Sequence, residues 1–150
     1  MPVVSDLTDH MGYLLRMVSN AVSQEFARKV ASEGVTVAEW TMLRSLYDGD
    51  ATAPSALAQK MSLTKGAISK LAERLLEKGL IERAVNRDDK RAHRLSLSAA
   101  GLQKVPLLAG LADENDAAFF AVLTGEGQDG LRSLLRLLIE KHGLSAMPVD

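Results

Sequence analysis

Apolar side chains recur at intervals of three and four along most of this 150-residue chain, which is the period of helices that bury one face. This spacing predicts a long first helix over residues 6–31, followed by a stop at Gly34. A second helix is expected to begin after a capping box formed by Thr36 and Glu39 and to end near Gly49. The first third of the chain is therefore expected to be helical.

The middle of the chain carries two shorter helices. The third helix is predicted over residues 52–60, with Pro54 in its first turn, where the missing N–H would have no partner. After a turn at residues 61–63, the fourth helix is expected over residues 64–78, with Gly79 as its stop. Two helices joined by so short a turn are typical of a helix–turn–helix.

A β-hairpin is predicted directly after the fourth helix. Residues 80–86 and 92–98 are the expected strands, and residues 87–90 form the turn between them. In the second strand Leu95 and Leu97 alternate with polar neighbours, which is the period of a strand with one buried face.

Two further helices are expected to close the chain. An apolar helix should run from a cap at Ser98 to about Leu123, with a kink or bend at Pro106. A leucine-rich final helix should begin after Thr124 and end near Gly143. The expected order is helix, helix, helix–turn–helix, hairpin, helix, helix.

The fourth helix separates aliphatic from polar side chains. Ile68, Leu71 and Leu75 fall on one face, and small, polar and cationic residues fall on the other. Such a helix suits the major groove of DNA, because small residues permit close approach while hydroxyls and amines meet base edges and phosphates. Gly66 is consistent with a position that lets DNA approach closely, and it is equally consistent with an ordinary surface position where glycine has no role. The candidate DNA contacts on this helix are Thr64, Lys65, Gly66, Ser69, Lys70 and Arg74.

The tip of the hairpin is the charged run of residues 87–91. Beside a recognition helix such a tip is typical of a wing, and Arg91 is the candidate for a minor groove, where A·T-rich tracts concentrate negative potential. Asp89 is placed to orient Arg91 through a charge-assisted hydrogen bond, and Lys90 adds a second cation. The alternative is an ordinary solvated turn.

Charge is distributed unevenly along the chain, although its net value is only −1. Residues 52–98 hold ten Lys and Arg residues and five Asp and Glu residues. The remaining residues hold eight Lys and Arg residues and fourteen Asp and Glu residues. A basic centre between acidic flanks favours a polyanion such as double-stranded DNA as a partner.

Enzyme and metal functions find no support in the motifs. Residues 125–130 spell G-x-G-x-x-G, but we expect too little chain after them for the second parallel strand of a dinucleotide-binding unit. The three histidines are scattered, and the absence of cysteine excludes disulfides and thiol chemistry. We expect no enzyme activity, no metal and no cofactor. With no signal peptide and no apolar run of membrane-spanning length, we expect a cytoplasmic protein without a membrane partner.

Four segments of the chain, in this order, resemble the MarR family of bacterial winged-helix regulators: residues 34–40, residues 57–71, residues 75–83, and residues 88–91 followed by residues 95–101. The resemblance implies a homodimer held by the first and last helices, with paired winged-helix lobes on a pseudo-palindromic operator. It also implies a small-molecule inducer in many members, and the lack of cysteine excludes the peroxide-sensing branch. The positions that match the family's DNA contacts are Thr64, Lys65, Ser69 and Lys70 on the recognition helix and Asp89 and Arg91 on the wing.

The expected fold is mainly α with a small β-hairpin wing. Residues 35–98 would form the winged helix–turn–helix DNA-binding domain, and residues 1–34 and 99–150 would form a helical dimerisation region. The terminal helices support a dimer independently, because they are too apolar for the edges of a monomer of this size. Packing of these helices against each other within one chain would absorb part of that surface.

The leading functional hypothesis is a dimeric, sequence-specific transcriptional regulator, a repressor released by a small-molecule ligand. Its recognition helix, at about residues 64–78, would enter the major groove, and its wing, residues 87–91, the minor groove. The alternative is a winged-helix protein–protein interaction module without DNA binding. The candidate residues for binding the effector are Tyr13, Met17, Trp40 and Leu43. The same side chains are equally consistent with ordinary packing in the hydrophobic core.

Overall fold

A computed structural model describes residues 2–85 and 93–149 as a set of helices with one antiparallel hairpin. This arrangement confirms the predicted mainly α fold with a small β-hairpin. In chain order the elements are α1 (Met11–Ala31), α2 (Val37–Tyr47), α3 (Pro54–Met61), α4 (Lys65–Glu77), β1 (Ile81–Val85), β2 (His93–Leu97), α5 (Ala99–Phe120) and α6 (Gly125–Lys141).

The first helix begins later than the apolar spacing predicts. A separate 3-10 turn covers Leu7–Asp9, and His10 is extended, with φ −93° and ψ 123°. The Asp9 carboxylate accepts a hydrogen bond of 2.9 Å from the amide of Asp6, which closes the short turn on itself. The apolar period continues across this break because it records only which side chains share a face.

The glycine stops and three of the four hydroxyl caps lie where the sequence predicts them, and the fourth cap, Thr64, is predicted only as the first residue of its helix. A side-chain oxygen accepts a hydrogen bond of 3.0–3.1 Å from the amide three residues later at Thr36, Thr64, Ser98 and Thr124. Left-handed glycines, with φ of +79°, +71° and +60°, follow α1, α4 and α6 at Gly34, Gly79 and Gly143.

Helix α5 runs unbroken from Ala99 to Phe120 and contains Pro106. Proline removes the hydrogen bond that its amide would donate to Leu102. Both residues are exposed, so water can bind the freed carbonyl. The helix ends before the predicted Leu123.

The hairpin is tied to the loop that precedes α3. Within the hairpin, Ile81 pairs with Leu97 and Val85 with His93. Thr52 and Leu95 exchange two backbone hydrogen bonds of 2.8 Å, so the loop pairs with β2 through an isolated antiparallel bridge. The sequence pattern places Thr52 only at a helix start and does not predict this bridge.

The core joins helices α2, α3 and α4, the hairpin, the end of α1 and part of α5. Its aliphatic and thioether side chains lie in contact and exclude water, which is the main source of stability for a domain of this size. The apolar side chains that are exposed by less than 2% are Val30, Met42, Leu43, Leu57, Met61, Ile68, Leu75, Leu95, Val105 and Leu108.

Gly101, in the first turn of α5, packs against the backbone between α4 and β1. A Cβ at this position would lie 2.1 Å from the carbonyl oxygen of Leu80. The same carbonyl accepts a hydrogen bond of 3.1 Å from the amide of Ser98, whose hydroxyl donates to the carbonyl of Gly79 at 2.6 Å. Helix α5 is thereby fixed to the segment that ends α4.

The terminal helices leave large apolar side chains uncovered. Helix α6 buries none of its residues, although leucine recurs along it. No helix within residues 2–85 and 93–149 is long and apolar enough to cross a bilayer. The exposed apolar side chains of α1 and α6 are Met11, Tyr13, Leu14, Leu15, Met17, Val18, Leu134, Leu135, Leu137, Leu138 and Ile139.

Candidate nucleic-acid interface

Helices α3 and α4 are joined by a three-residue turn with defined backbone geometry. Ser62 adopts the left-handed conformation, with φ 54° and ψ 41°. The amide of Leu63 donates to the carbonyl of Ala58 at 3.0 Å, so this carbonyl near the end of α3 has a hydrogen-bond partner where the chain turns. The turn sets the start of α4 at the surface.

Helix α4 presents the two faces that the sequence predicts. Ile68 and Leu75 are fully buried, and Leu71 is exposed by only 5%. The opposite face is open to solvent and also holds the acids Glu73 and Glu77. We call its small, hydroxyl and cationic residues the α4 outer face. The α4 outer face consists of Thr64, Lys65, Gly66, Ser69, Lys70 and Arg74.

Two residues at the start of α4 are suited to close contact with another molecule. Thr64 caps the helix through its oxygen, which leaves its hydroxyl hydrogen able to donate. A Cβ on Gly66 would meet nothing nearer than the Thr64 hydroxyl oxygen at 4.0 Å, so packing within this protomer does not require glycine there.

The α4 outer face carries three cationic side chains. Lys65, Lys70 and Arg74 form no ion pair with any residue that the structure describes. The first turn of α4 adds unpaired amide groups and the positive end of the helix dipole. An anion approaching this surface therefore meets both fixed cations and backbone donors.

The hairpin leads to the predicted wing without including its tip. Asp89, Lys90 and Arg91 lie outside the described residues, and their proposed roles stay sequence predictions. Arg94 on β2 donates to the carbonyl of Ala51 at 3.1 Å, which joins the base of the hairpin to the loop before α3.

Behind the α4 outer face, a buried carboxylate joins the end of α4 to the start of α2. Glu39 is fully buried, and Lys78 donates to its two oxygens at 2.9 and 2.8 Å. Burial raises the pKa of the Glu39 carboxyl, but hydrogen bonds from Lys78 and Thr36 outweigh it, so the pKa lies below the ordinary 4.5. Because the pKa of Glu39 is lower in the folded state, its ion pair with Lys78 stabilises the fold fully at pH values above the ordinary pKa. That stabilisation is lost as the pH falls through the lowered pKa.

The four candidate effector residues do not form one site in the protomer. A cleft of about 330 Å³ between α1 and α2 is lined by Trp40, Phe26 and Met147, among others, and the Phe26 and Trp40 rings meet edge to face at 6.5 Å. Leu43 is fully buried in the core. Tyr13 and Met17 are exposed on α1, away from the lining of this cleft.

Sequence reasoning missed the contacts between distant segments. The capping box indicated Glu39 as a local cap but gave no sign of its partner Lys78, which lies 39 residues later. The chain after α6 also returns to the core, where Met147 and Val149 pack as half-buried side chains. No periodic pattern marks that segment.

Comparison with known proteins matches this architecture. A family model described as the MarR family covers residues 33–92. A proposed transcriptional regulatory protein for the hcr operon of Thauera aromatica is 30% identical over 137 residues, which span 91% of this chain and 82% of that protein. A probable transcriptional regulator from Pseudomonas aeruginosa has a crystal structure with a TM-score of 0.78 at 30% identity, covering 89% of this chain and 100% of that chain. A MarR mutant from Escherichia coli in complex with operator DNA gives a TM-score of 0.77 at 24% identity, over 90% and 99% of the two chains.

Proposed function

The chain belongs to the MarR family of transcriptional regulators, and from this premise we propose that it is a dimeric, sequence-specific DNA-binding protein. Helix α4 would enter the major groove, and the wing at residues 87–91 would enter the minor groove. A regulator that acts on the chromosome in this way works in the cytoplasm.

The observation that carries this proposal is the α4 outer face. Its cations have no ion-pair partner among the described residues, and the start of the helix is open to close approach. Phosphates are the ligands that such a surface attracts, and the hydroxyls of Thr64 and Ser69 supply donors and acceptors for base edges.

The alternative is a winged helix that binds another protein. A protein-binding wing does not require the basic excess of residues 52–98, which hold ten Lys and Arg against five acids. The Escherichia coli protein of the same fold was solved with operator DNA, which also supports DNA as the partner.

The dimer is proposed from the uncovered surfaces of α1 and α6. Residues 1–34 and 99–150 would form the dimerisation region, and residues 35–98 the DNA-binding domain. Helix α6 buries none of its residues in the protomer, so its leucines need a second surface to exclude water. A two-fold dimer supplies that surface and presents two α4 helices to a pseudo-palindrome.

A small-molecule effector that releases DNA completes the proposal, which makes the protein a repressor. The cleft beside Trp40 supports an apolar or aromatic ligand, because Phe26 and Trp40 offer ring edges and faces. In a dimer, exposed residues of α1 such as Tyr13 and Met17 become available to a pocket that two protomers share.

Removal of one cation from the α4 outer face tests the DNA contact. Lys70 is exposed and is expected to meet a phosphate, so Lys70→Ala should weaken operator and random DNA alike. The slope of log K against log salt should fall by about one unit for each protomer. Lys141→Ala, which removes the same charge from the exposed end of α6, is the matched control and should leave the slope unchanged. An unchanged slope for Lys70→Ala would exclude this contact.

The role of the wing can be tested by whether a substitution strengthens or weakens operator binding. Arg91→Ala should cost roughly 1–3 kcal/mol of specific binding if the side chain enters a groove. Asp89→Ala should reproduce part of that loss, because Arg91 would no longer be oriented, although simple Coulomb attraction predicts tighter binding. Asp88→Ala is the control for charge. Tighter operator binding by Asp89→Ala in a fluorescence anisotropy titration would refute the orienting role.

A further inference from the structure

The ammonium of Lys78 has all three of its N–H donors engaged. It donates to both oxygens of Glu39, at 2.9 and 2.8 Å, and to the carbonyl of Gly34 at 2.8 Å. Glu39 Oε1 also accepts a hydrogen bond of 2.8 Å from the amide of Thr36. We call this set of bonds the Glu39–Lys78 tie.

The Glu39–Lys78 tie joins two elements whose relative angle matters for binding. Lys78 is the C-cap of α4, and Glu39 lies in the first turn of α2. The contacts that α4 makes through Ile68, Leu71 and Leu75 are aliphatic, and such contacts have little directional preference. Charge-assisted hydrogen bonds do have a preferred direction, so the tie adds a directional restraint on the rotation and tilt of α4 to the restraint from core packing.

A small tilt of α4 at its Lys78 end produces a large displacement of its first turn. The helix has 13 residues, so its axis is about 20 Å long. A tilt of about 5° at Lys78 would therefore move the first turn by about 1.7 Å, which exceeds the range of donor–acceptor distances that a hydrogen bond tolerates. The first turn holds Thr64, Lys65 and Gly66, which are the residues proposed to approach the bases.

We propose that Glu39 and Lys78 are positioning residues for sequence readout by α4, touching no DNA but setting the angle at which the helix enters the groove. The inference rests on the proposed DNA-binding function. Phosphate contacts by exposed Lys side chains that have no partner within the described protomer tolerate small errors of angle, whereas bidentate contacts to bases do not. Loss of the tie therefore lowers discrimination between operator and random DNA more than it lowers affinity for DNA in general.

The variant that separates this role from simple electrostatics is Glu39→Gln. Glutamine keeps the capping box with Thr36 but removes the ionic bond to Lys78. Removing a negative charge predicts tighter binding to any DNA by Coulomb attraction alone. The positioning role predicts a fall of about tenfold in the ratio of random-DNA to operator dissociation constants, which corresponds to about 1.4 kcal/mol.

Glu77→Gln is the matched control, because Glu77 is an exposed acid at the end of the same helix, next to Lys78. It should leave the ratio unchanged. Lys78→Met provides a second variant, which should also lower the ratio, and Lys78→Arg should restore most of it because arginine keeps the charge and the donors. All dissociation constants are measured at one salt concentration, at a temperature where circular dichroism shows each variant folded.

The operator for these titrations is a fragment that the wild-type protein selects from genomic DNA. A lowered ratio in Glu39→Gln and in Lys78→Met, with an unchanged ratio in Glu77→Gln, supports the positioning role. A ratio within twofold of wild type in either Glu39→Gln or Lys78→Met overturns it. Failure of the wild-type protein to prefer any fragment would instead overturn the proposed function itself.

Discussion

Gly101→Ala is expected to lower the free energy of unfolding by about 3 kcal/mol or more, which makes it the most damaging small substitution that the structure identifies. The added methyl would lie 2.1 Å from the carbonyl oxygen of Leu80. That carbonyl belongs to backbone held by Ser98, so it cannot rotate away as a flexible side chain would. Either α5 shifts or the end of α4 does.

The matched control is Gly110→Ala in the same helix. A Cβ at Gly110 would meet nothing within 4 Å, and alanine favours a helix interior over glycine by up to about 1 kcal/mol. This variant should therefore be neutral or slightly stabilising. Urea denaturation followed by circular dichroism measures both, and equal midpoints for the two variants would contradict the described packing of Gly101.

The second large effect is expected from charge placed on the exposed leucines of α6. The wild-type protein should be a dimer at micromolar concentration, and Leu134→Glu combined with Leu138→Glu should produce a 16.2 kDa monomer, because both side chains are exposed in the protomer. Affinity for an operator with two half-sites should then fall by about 10²–10⁴-fold, since the second half-site no longer binds intramolecularly.

Ser133→Glu adds a negative charge to an exposed polar position of the same helix and controls for charge alone. It should stay dimeric. Multi-angle light scattering gives the masses, and anisotropy gives the affinities. A monomeric wild type at micromolar concentration would exclude the proposed dimer, and a double variant with wild-type mass and affinity would exclude α6 as its interface.

The sequence predicts this structure well wherever the determining interactions are local. A capping hydroxyl and the amide that it accepts from lie three residues apart, so the starts of α2, α4, α5 and α6 could be predicted from single short motifs. The two faces of α4 follow from helical geometry alone. Glycine stops after α1, α4 and α6 depend on one residue each.

Contacts between distant segments could not be predicted in this way. The Thr52–Leu95 bridge, the Glu39–Lys78 tie and the fit of Gly101 against Leu80 join residues that are 21 or more positions apart. Each depends on the final packing of helices, which one sequence does not encode in any periodic pattern. The interruption at His10 was missed for a different reason, because a carboxylate that closes a short turn competes locally with helix propagation.

The central claim, that the α4 outer face reads DNA sequence, is tested most directly by selecting genomic fragments with the purified protein and sequencing those that are bound. We expect strong enrichment of a few fragments that share a pseudo-palindromic motif, with two half-sites related by the two-fold axis of the dimer. Recovery of fragments in proportion to their abundance, with no shared motif, would contradict sequence-specific DNA binding and would favour the protein–protein module.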